Sequence, residues 1–185
     1  LRDRESGKKI CILISWEFIV RKYLELIRIR HYLKNFLIFA ALAFSGRLFE
    51  QERLLHGLGG FVSFCMVSSA VYIINDIQDR KADRLHPTKK KRPIASGEIS
   101  VRNGIYISLC MLAAGSLING TVFHLSSTLL LILYFVLNLL YSFGLDDLPI
   151  VDISILVSGF LIRVMYGAII TMTEISNWLY LTVLV

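Results

Sequence analysis

The chain has 185 residues, 55% of them hydrophobic and only 18% charged, with a formal net charge of +6. A mean hydropathy of +0.63 argues against an ordinary soluble domain and points to a chain built for lipid. The charge is also confined: most Lys and Arg fall in residues 1–35 and 80–102, and beyond Asn103 only Arg163 is a Lys or Arg.

In chain order, residues 1–33 come first. Their "KKICILISWEFIV" has bases ahead of an apolar run, as a signal peptide would, but Glu17 interrupts it and no small-residue cleavage site follows. The segment reads as an amphipathic stretch at the cytoplasmic membrane surface. A bilayer core of roughly 30 Å needs about 20 mostly apolar residues per helix. Five segments approach that requirement: Lys34–Phe49, Gly57–Ile77, Asn103–Gly120, Val122–Phe143 and Ile150–Met172. A sixth opens at Asn177 and stops within "NWLYLTVLV". Because the first residue is also Leu, the expectation is a piece of a longer protein, with residues 34–185 an incomplete membrane domain carrying a loop at 78–102.

Short loops rich in Lys and Arg stay cytoplasmic. That rule puts the N-terminal block, the 78–102 loop and the "GLDDLP" connection on one face, while "NGTVFH" and "TMTEISN" on the other have no Lys or Arg. Cys11, Cys65 and Cys110 form no CxxC pair, and Cys65 and Cys110 read as packing residues. His31, His56, His86 and His124 have no zinc-site spacing. Neither a phosphate-binding glycine loop nor a GxSxG elbow is present.

The conspicuous segment is "NDIQDRKADRLHPTKKKRPIASG", Asn75 to Gly97, at the mouth of the second apolar span. If the helix continues, Asp76, Asp79 and Asp83 recur at three and four residues and share a face. Like charges so close call for a compensating cation, and carboxylate oxygens suit a hard ion such as Mg2+. The plainer reading is an acidic helix end in solvent, with Arg80, Lys81 and Arg84 as partners. Against it, charge near a bilayer costs up to roughly 2.5–3.5 kcal/mol at mid-membrane. The run Lys89, Lys90, Lys91 and Arg92 reads either as a positive-inside loop that attracts anionic headgroups or as phosphate contacts. Pro93 and Gly97 turn the chain back toward the next helix. Arg163, inside the fifth span, is either a substrate contact or part of a buried pair with Asp152, about three helical turns away.

"NDIQDRKAD" matches the NDxxDxxxD motif of the UbiA superfamily of membrane prenyltransferases, and "HPTKKKRPIASG" resembles the loop that follows it. With "RIRHYLKN" before the first span and "YSFGL" after the fourth, the chain is most similar to the decaprenyl-phosphate phosphoribosyltransferase subgroup, from about Arg28 to Ile170. The resemblance implies an all-α polytopic membrane bundle of nine helices, of which this sequence would hold five and the start of a sixth. A second aspartate motif would lie beyond Val185. It implies metal ligation of Mg2+ by Asp76, Asp79 and Asp83, with Asn75 holding the diphosphate or orienting Asp79. Arg30, Lys34 and Asn35 resemble the basic entrance of the first helix, Lys89 and Arg92 resemble phosphate contacts, and Tyr141 matches a family tyrosine. Two departures are Asp146, where family members commonly carry Lys, and Ile29, where Pro is frequent.

The implied chemistry is displacement of diphosphate, moving 5-phosphoribosyl from phosphoribosyl diphosphate to a polyprenyl phosphate. Prenyl transfer from a polyprenyl diphosphate to an aromatic or other acceptor is the alternative, and a non-catalytic lipid-binding protein is a third. The implied setting is the inner or plasma membrane with the site facing the cytoplasm. A bilayer and a phosphorylated lipid are the implied partners, with no nucleic acid and the oligomeric state open.

Overall fold

The computed structural model describes residues 19–123, 125–142 and 149–175, the last stretch from residue 153 for side chains. Every regular element among these residues is helical. Residues 1–18, the connection with Asp146 and the sixth span from Asn177 lie outside the described residues.

Residues 19–26 are helical. The helix ends at Arg28, whose φ of 53° and ψ of 50° are left-handed, a conformation costing roughly 1–2 kcal/mol in a non-glycine residue. A 3-10 helix, Ile29–Phe39, follows and runs into α1, Ala40–Phe44. The expected first span, Lys34–Phe49, is therefore corrected: it is a tight 3-10 winding, a short α-helix and a turn with Gly46 at φ 73°. Residues three apart eclipse in a 3-10 helix, and that spacing turns Asn35 and Ile38 to one buried face. Both are anchored. Asn35 bonds to Cys65 and Ser68, and Ile38 lies so close to Gly167 that a Cβ there would be 1.8 Å from its carbonyl oxygen.

α2, Gln51–Gln78, is the central helix, 61% buried across its apolar window, and α5, Val101–Val122, packs along it. Their contact uses small residues, as close helix pairs in membranes do: Ser63 Oγ donates to the Gly115 carbonyl at 2.8 Å, and a Cβ on Gly115 would be 2.8 Å from the Ser63 carbonyl. Ser100 caps α5 by accepting the Asn103 N–H at 3.2 Å. Phe123, with extended backbone at φ −122° and ψ 169°, ends it. The expected fourth span, Val122–Phe143, accordingly starts later: α6 covers Leu125–Leu140, and a π-helical turn continues it through Ser142. α7, Pro149–Ile170, closes the bundle. Among the described residues three helices are long and apolar enough to cross a membrane: α2, α5 and Ile153–Ile170 of α7.

Ile38, Phe64, Val67, Val71, Tyr134 and Tyr166 form the main core. Cys65 is buried in agreement with its expected packing role, whereas Cys110 is exposed on the outer face of α5, a correction. At one end of α2 the 78–102 segment folds into α3, Arg80–Leu85, a 3-10 turn at Lys89–Lys91 and α4, Pro93–Ser96. Pro93 opens α4 and Gly97, at φ 86°, closes it. Leu26, Ile73, Ile94 and Ile99 form a second core that ties this segment and residues 19–26 to α2.

Candidate active site

The site begins at the last turns of α2, where Asp76 is only 2% exposed. A carboxylate so deeply buried needs a charged partner, and Arg28 donates from Nη2 to its Oδ1. Arg92 donates from Nη1 to the same oxygen at 3.1 Å and to Asp83 Oδ2 at 2.7 Å. Asp83 is also 2% exposed. One guanidinium thus ties two buried carboxylates together, and a second, stacked 5.0 Å from the Tyr72 ring centre, reinforces the first.

This arrangement corrects the expected three-carboxylate face. α2 stops at Gln78 and Asp79 forms the joint to α3; Asp79 is exposed, whereas Asp76 and Asp83 are buried. Among the described residues no group of three His, Cys, Asp or Glu side chains is placed to hold a metal ion. The oxygen donors have the right chemistry for Mg2+, yet Asp76 and Asp83 are already committed to arginine. As arranged, they do not fit a bound ion. The compensating cation that the acidic cluster demands is supplied by Arg92 and Arg28.

Beside Asn75 opens a cavity of about 270 Å³, lined by Arg28, His31, Lys34 and Arg163 among others, with no carboxylate among its described lining residues. Asn75 and Tyr141 also face it. Ser142 Oγ donates to Asn75 Oδ1 at 2.5 Å, linking the end of α6 to α2. Burial, and then the neighbouring Arg28, Lys34 and Arg92, hold His31 below its usual 6.5.

Arg163 is 5% exposed. Its Nε donates to Asn35 Oδ1 at 2.9 Å, Nη1 to the Gly159 carbonyl at 2.5 Å, and Nη2 to the Tyr134 hydroxyl at 3.2 Å. Phe64 and Tyr134 lie 5.3 and 5.1 Å from the guanidinium. No carboxylate among the described side chains pairs with it; Asp152, weighed as its partner, lies outside them. Asn35 does not line the cavity but holds Arg163 from behind, only 1% exposed itself.

Arg30 faces a separate outer cavity of about 600 Å³, shared with Arg28, His31 and Arg92. Lys89 is exposed, and its N–H donates to His86 Nδ1 at 3.3 Å. Sequence reasoning passed over Arg28, Tyr72, Tyr134 and Asn138, all on the central cavity. Spacing carried a signal for two of them, since Tyr72 lies three residues before Asn75 and Asn138 three before Tyr141, each on the same helix face.

Residues 35–185 match the model of the UbiA prenyltransferase family. The chain belongs to that family. An uncharacterized protein, y4nM of Sinorhizobium fredii, is 38% identical over 181 residues, covering 96% of this chain and 34% of that protein. The decaprenyl-phosphate phosphoribosyltransferase of Corynebacterium glutamicum is 35% identical over 162 residues, covering 85% of this chain and 48% of that enzyme. This UbiA-family chain thus spans about a third to a half of the length of these curated relatives. The structure of a UbiA homologue from Archaeoglobus fulgidus bound to DMAPP and Mg2+ superposes with a TM-score of 0.74 at 23% identity, covering 88% of this chain and 59% of that one. That likeness shows a shared UbiA fold.

Proposed function

We propose that this UbiA-family chain forms part of an integral membrane transferase that displaces diphosphate, with 5-phosphoribosyl diphosphate as donor and a polyprenyl phosphate as acceptor. The observation that carries the reading is the cavity bordered by Arg28, Lys34 and Arg163 without a carboxylate among its described lining residues. Cations converging on one cavity suit a polyanion and the charge that develops as it leaves. The likeness to the corynebacterial phosphoribosyltransferase favours the ribosyl donor.

In the proposed reaction the bond between the anomeric carbon and the bridging oxygen breaks, and its electron pair departs with the diphosphate. An oxygen of the acceptor phosphate then bonds to that carbon. Arg28, Lys34 and Arg163 neutralise the leaving group, while Asn75 and Tyr141, both on the cavity lining, orient it. Lys89 and Arg30, farther out, contribute to attracting phosphorylated substrates. Mg2+ is the ion named with the archaeal homologue, and Asp76, Asp79 and Asp83 are its proposed ligands. Because Arg28 and Arg92 hold two of those carboxylates here, no step is assigned to a metal. The face bearing the site is proposed as cytoplasmic from its Lys and Arg content.

Prenyl transfer from a polyprenyl diphosphate is the second reading, favoured by Tyr72, Tyr134 and Phe160 on the same cavity. Such rings suit a cationic allylic carbon. The deciding experiment supplies the full-length protein in detergent with ribose-labelled phosphoribosyl diphosphate and polyprenyl phosphate, with and without Mg2+. Label entering the lipid fraction supports the first reading. Consumption of polyprenyl diphosphate with an aromatic acceptor, and no ribosyl transfer, selects the second; inactivity in both assays overturns the transferase proposal.

A further inference from the structure

Asn138 stands in a largely apolar run of α6, "LLLILYFVLNLL", and lines the central cavity. An amide in such a setting is costly unless both of its ends are met. We propose that Asn138 Oδ1 reads the sugar of the donor, accepting a hydrogen bond from a ring hydroxyl and so selecting a pentose diphosphate over an allylic one. The inference deepens the phosphoribosyl reading and rests on it.

Hydrogen-bond chemistry fixes which way the amide points. Asn138 Nδ2 donates to the Tyr134 carbonyl at 2.7 Å. A carbonyl oxygen only accepts, so the atom that meets it must be the amide nitrogen. Oδ1 is thereby turned away from that carbonyl, and none of the described residues donates to it. Tyr134, Asn138 and Tyr141 recur at four and three residues on the face of α6 that meets the cavity, so Oδ1 is the polar atom Asn138 has left to offer there.

The rest of the wall explains why one acceptor matters. Arg28, Lys34 and Arg163 are donors with no acceptor to give; they suit phosphate oxygens and cannot take the proton of a hydroxyl. The second amide on the wall, Asn75, has its Oδ1 tied to Ser142, and the Gly159 carbonyl receives Arg163 Nη1. Tyrosine hydroxyls and the His31 ring can each switch between donor and acceptor, so they discriminate poorly. Asn138 Oδ1 remains as a fixed acceptor. A ribosyl donor carries hydroxyls at C2 and C3, beside the anomeric carbon, whereas an allylic chain carries none and would cover Oδ1 without meeting it. A site built around such a bond rejects the analogue that lacks the hydroxyl.

The test measures donor affinity by calorimetry on the full-length protein in detergent with Mg2+, using 5-phosphoribosyl diphosphate, its 2-deoxy and 3-deoxy analogues, and geranyl diphosphate. In wild-type protein one of the deoxy donors should bind at least tenfold more weakly than the ribosyl donor. In Asn138→Leu, which is close in volume, that gap should shrink to less than threefold, and geranyl diphosphate should bind at least threefold tighter than it does to wild type. The Tyr134 carbonyl keeps the helical N–H of residue 138, so the substitution strands no backbone group. Asn138→Ala covers a folding failure of the leucine variant, with the same loss of the gap expected. A merely structural role would weaken all four ligands alike and leave the gap in place. A folded variant that keeps the tenfold gap, or wild-type protein that binds the three sugar donors equally, overturns the inference while the diphosphate-transferase reading stands. Wild-type protein that binds geranyl diphosphate but no phosphoribosyl diphosphate overturns the ribosyl reading and this inference with it; binding of neither overturns the transferase reading as well.

Discussion

Asn35 Oδ1 accepts a hydrogen bond from Arg163 Nε across 2.9 Å, joining segments 128 residues apart. The Asn35 amide is turned to Cys65 Sγ and Ser68 Oγ at 3.2 and 3.3 Å, so its carbonyl can face only the guanidinium. Asn35→Leu leaves a buried cation with a donor unmet, and hydrogen bonds to charged groups contribute about 1.5–3 kcal/mol. A lower thermal midpoint in detergent checks this. Asn35→Asp keeps the bond but cancels the charge that Arg163 presents to the cavity. It should fold and bind diphosphate about tenfold more weakly, equivalent to about 1.4 kcal/mol; unchanged affinity would remove Arg163 from the anion site.

Two glycines separate backbone contact from mere small size. A Cβ at Gly167 would lie 1.8 Å from the Ile38 carbonyl oxygen, and neither backbone can move without parting α7 from the 3-10 helix. Gly167→Ala should cost at least 3 kcal/mol, on the order of the larger overpacking penalties, and should sharply reduce the folded yield. Gly120 has nothing within 4 Å of such a Cβ. Gly120→Ala should be neutral or stabilise by up to about 1 kcal/mol through helix propensity. Fluorescence-detected size exclusion after graded heating distinguishes the two.

Much of the bundle is legible because apolar length alone marks a span. Gly57–Ile77, Asn103–Gly120 and Ile150–Met172 anticipate α2, α5 and α7 to within a few residues, except at the start of α2, which begins at Gln51. The first span was misjudged because its winding is set by tertiary contacts: Asn35 with α2 and Arg163, and Ile38 with Gly167. The acidic face failed for a similar reason. No Gly or Pro lies between Gly60 and Pro87 to announce a break, yet the α-helix is interrupted at Asp79. Charge alone leads to a hard metal ion as the compensating cation; that Arg92, sixteen residues from Asp76, instead pairs with both buried carboxylates depends on how the loop packs. Arg28 was passed over because nothing in "LIRIRH" distinguishes it from Arg30.

His31 gives the site a pH dependence of definite sign. Burial and the positive charges of Arg28, Lys34 and Arg92 lower its pKa from 6.5, so the unfolded chain takes up a proton more readily than the folded one. Stability contributed by this group is present above about 6.5 and is lost as pH falls below it. A bound anion offsets the surrounding positive charge and raises the pKa again. Diphosphate binding near pH 6 should therefore draw in a proton, seen as a calorimetric enthalpy that varies with the ionisation enthalpy of the buffer. His31→Gln should abolish that dependence while preserving the fold.

Arg28 joins backbone strain to charge. Its left-handed conformation is maintained although glycine would adopt it freely, which implies that the side chain contributes more than the strain costs. The guanidinium meets Asp76, stacks on Tyr72 and borders both cavities. Arg28→Gly relaxes the backbone by about 1–2 kcal/mol but leaves Asp76 with Arg92 as its remaining arginine partner. Removing one partner from a buried charge network destabilises by about 3–5 kcal/mol, so the loss should outweigh the gain and the thermal midpoint should fall. Arg28→Lys retains charge but not the planar fork that can face Asp76 and a phosphate together. It should unfold near the wild-type temperature and bind diphosphate at least tenfold more weakly. If Arg28→Lys instead matches wild type in affinity, the residue serves the fold through Asp76, and the anion site rests on Lys34 and Arg163.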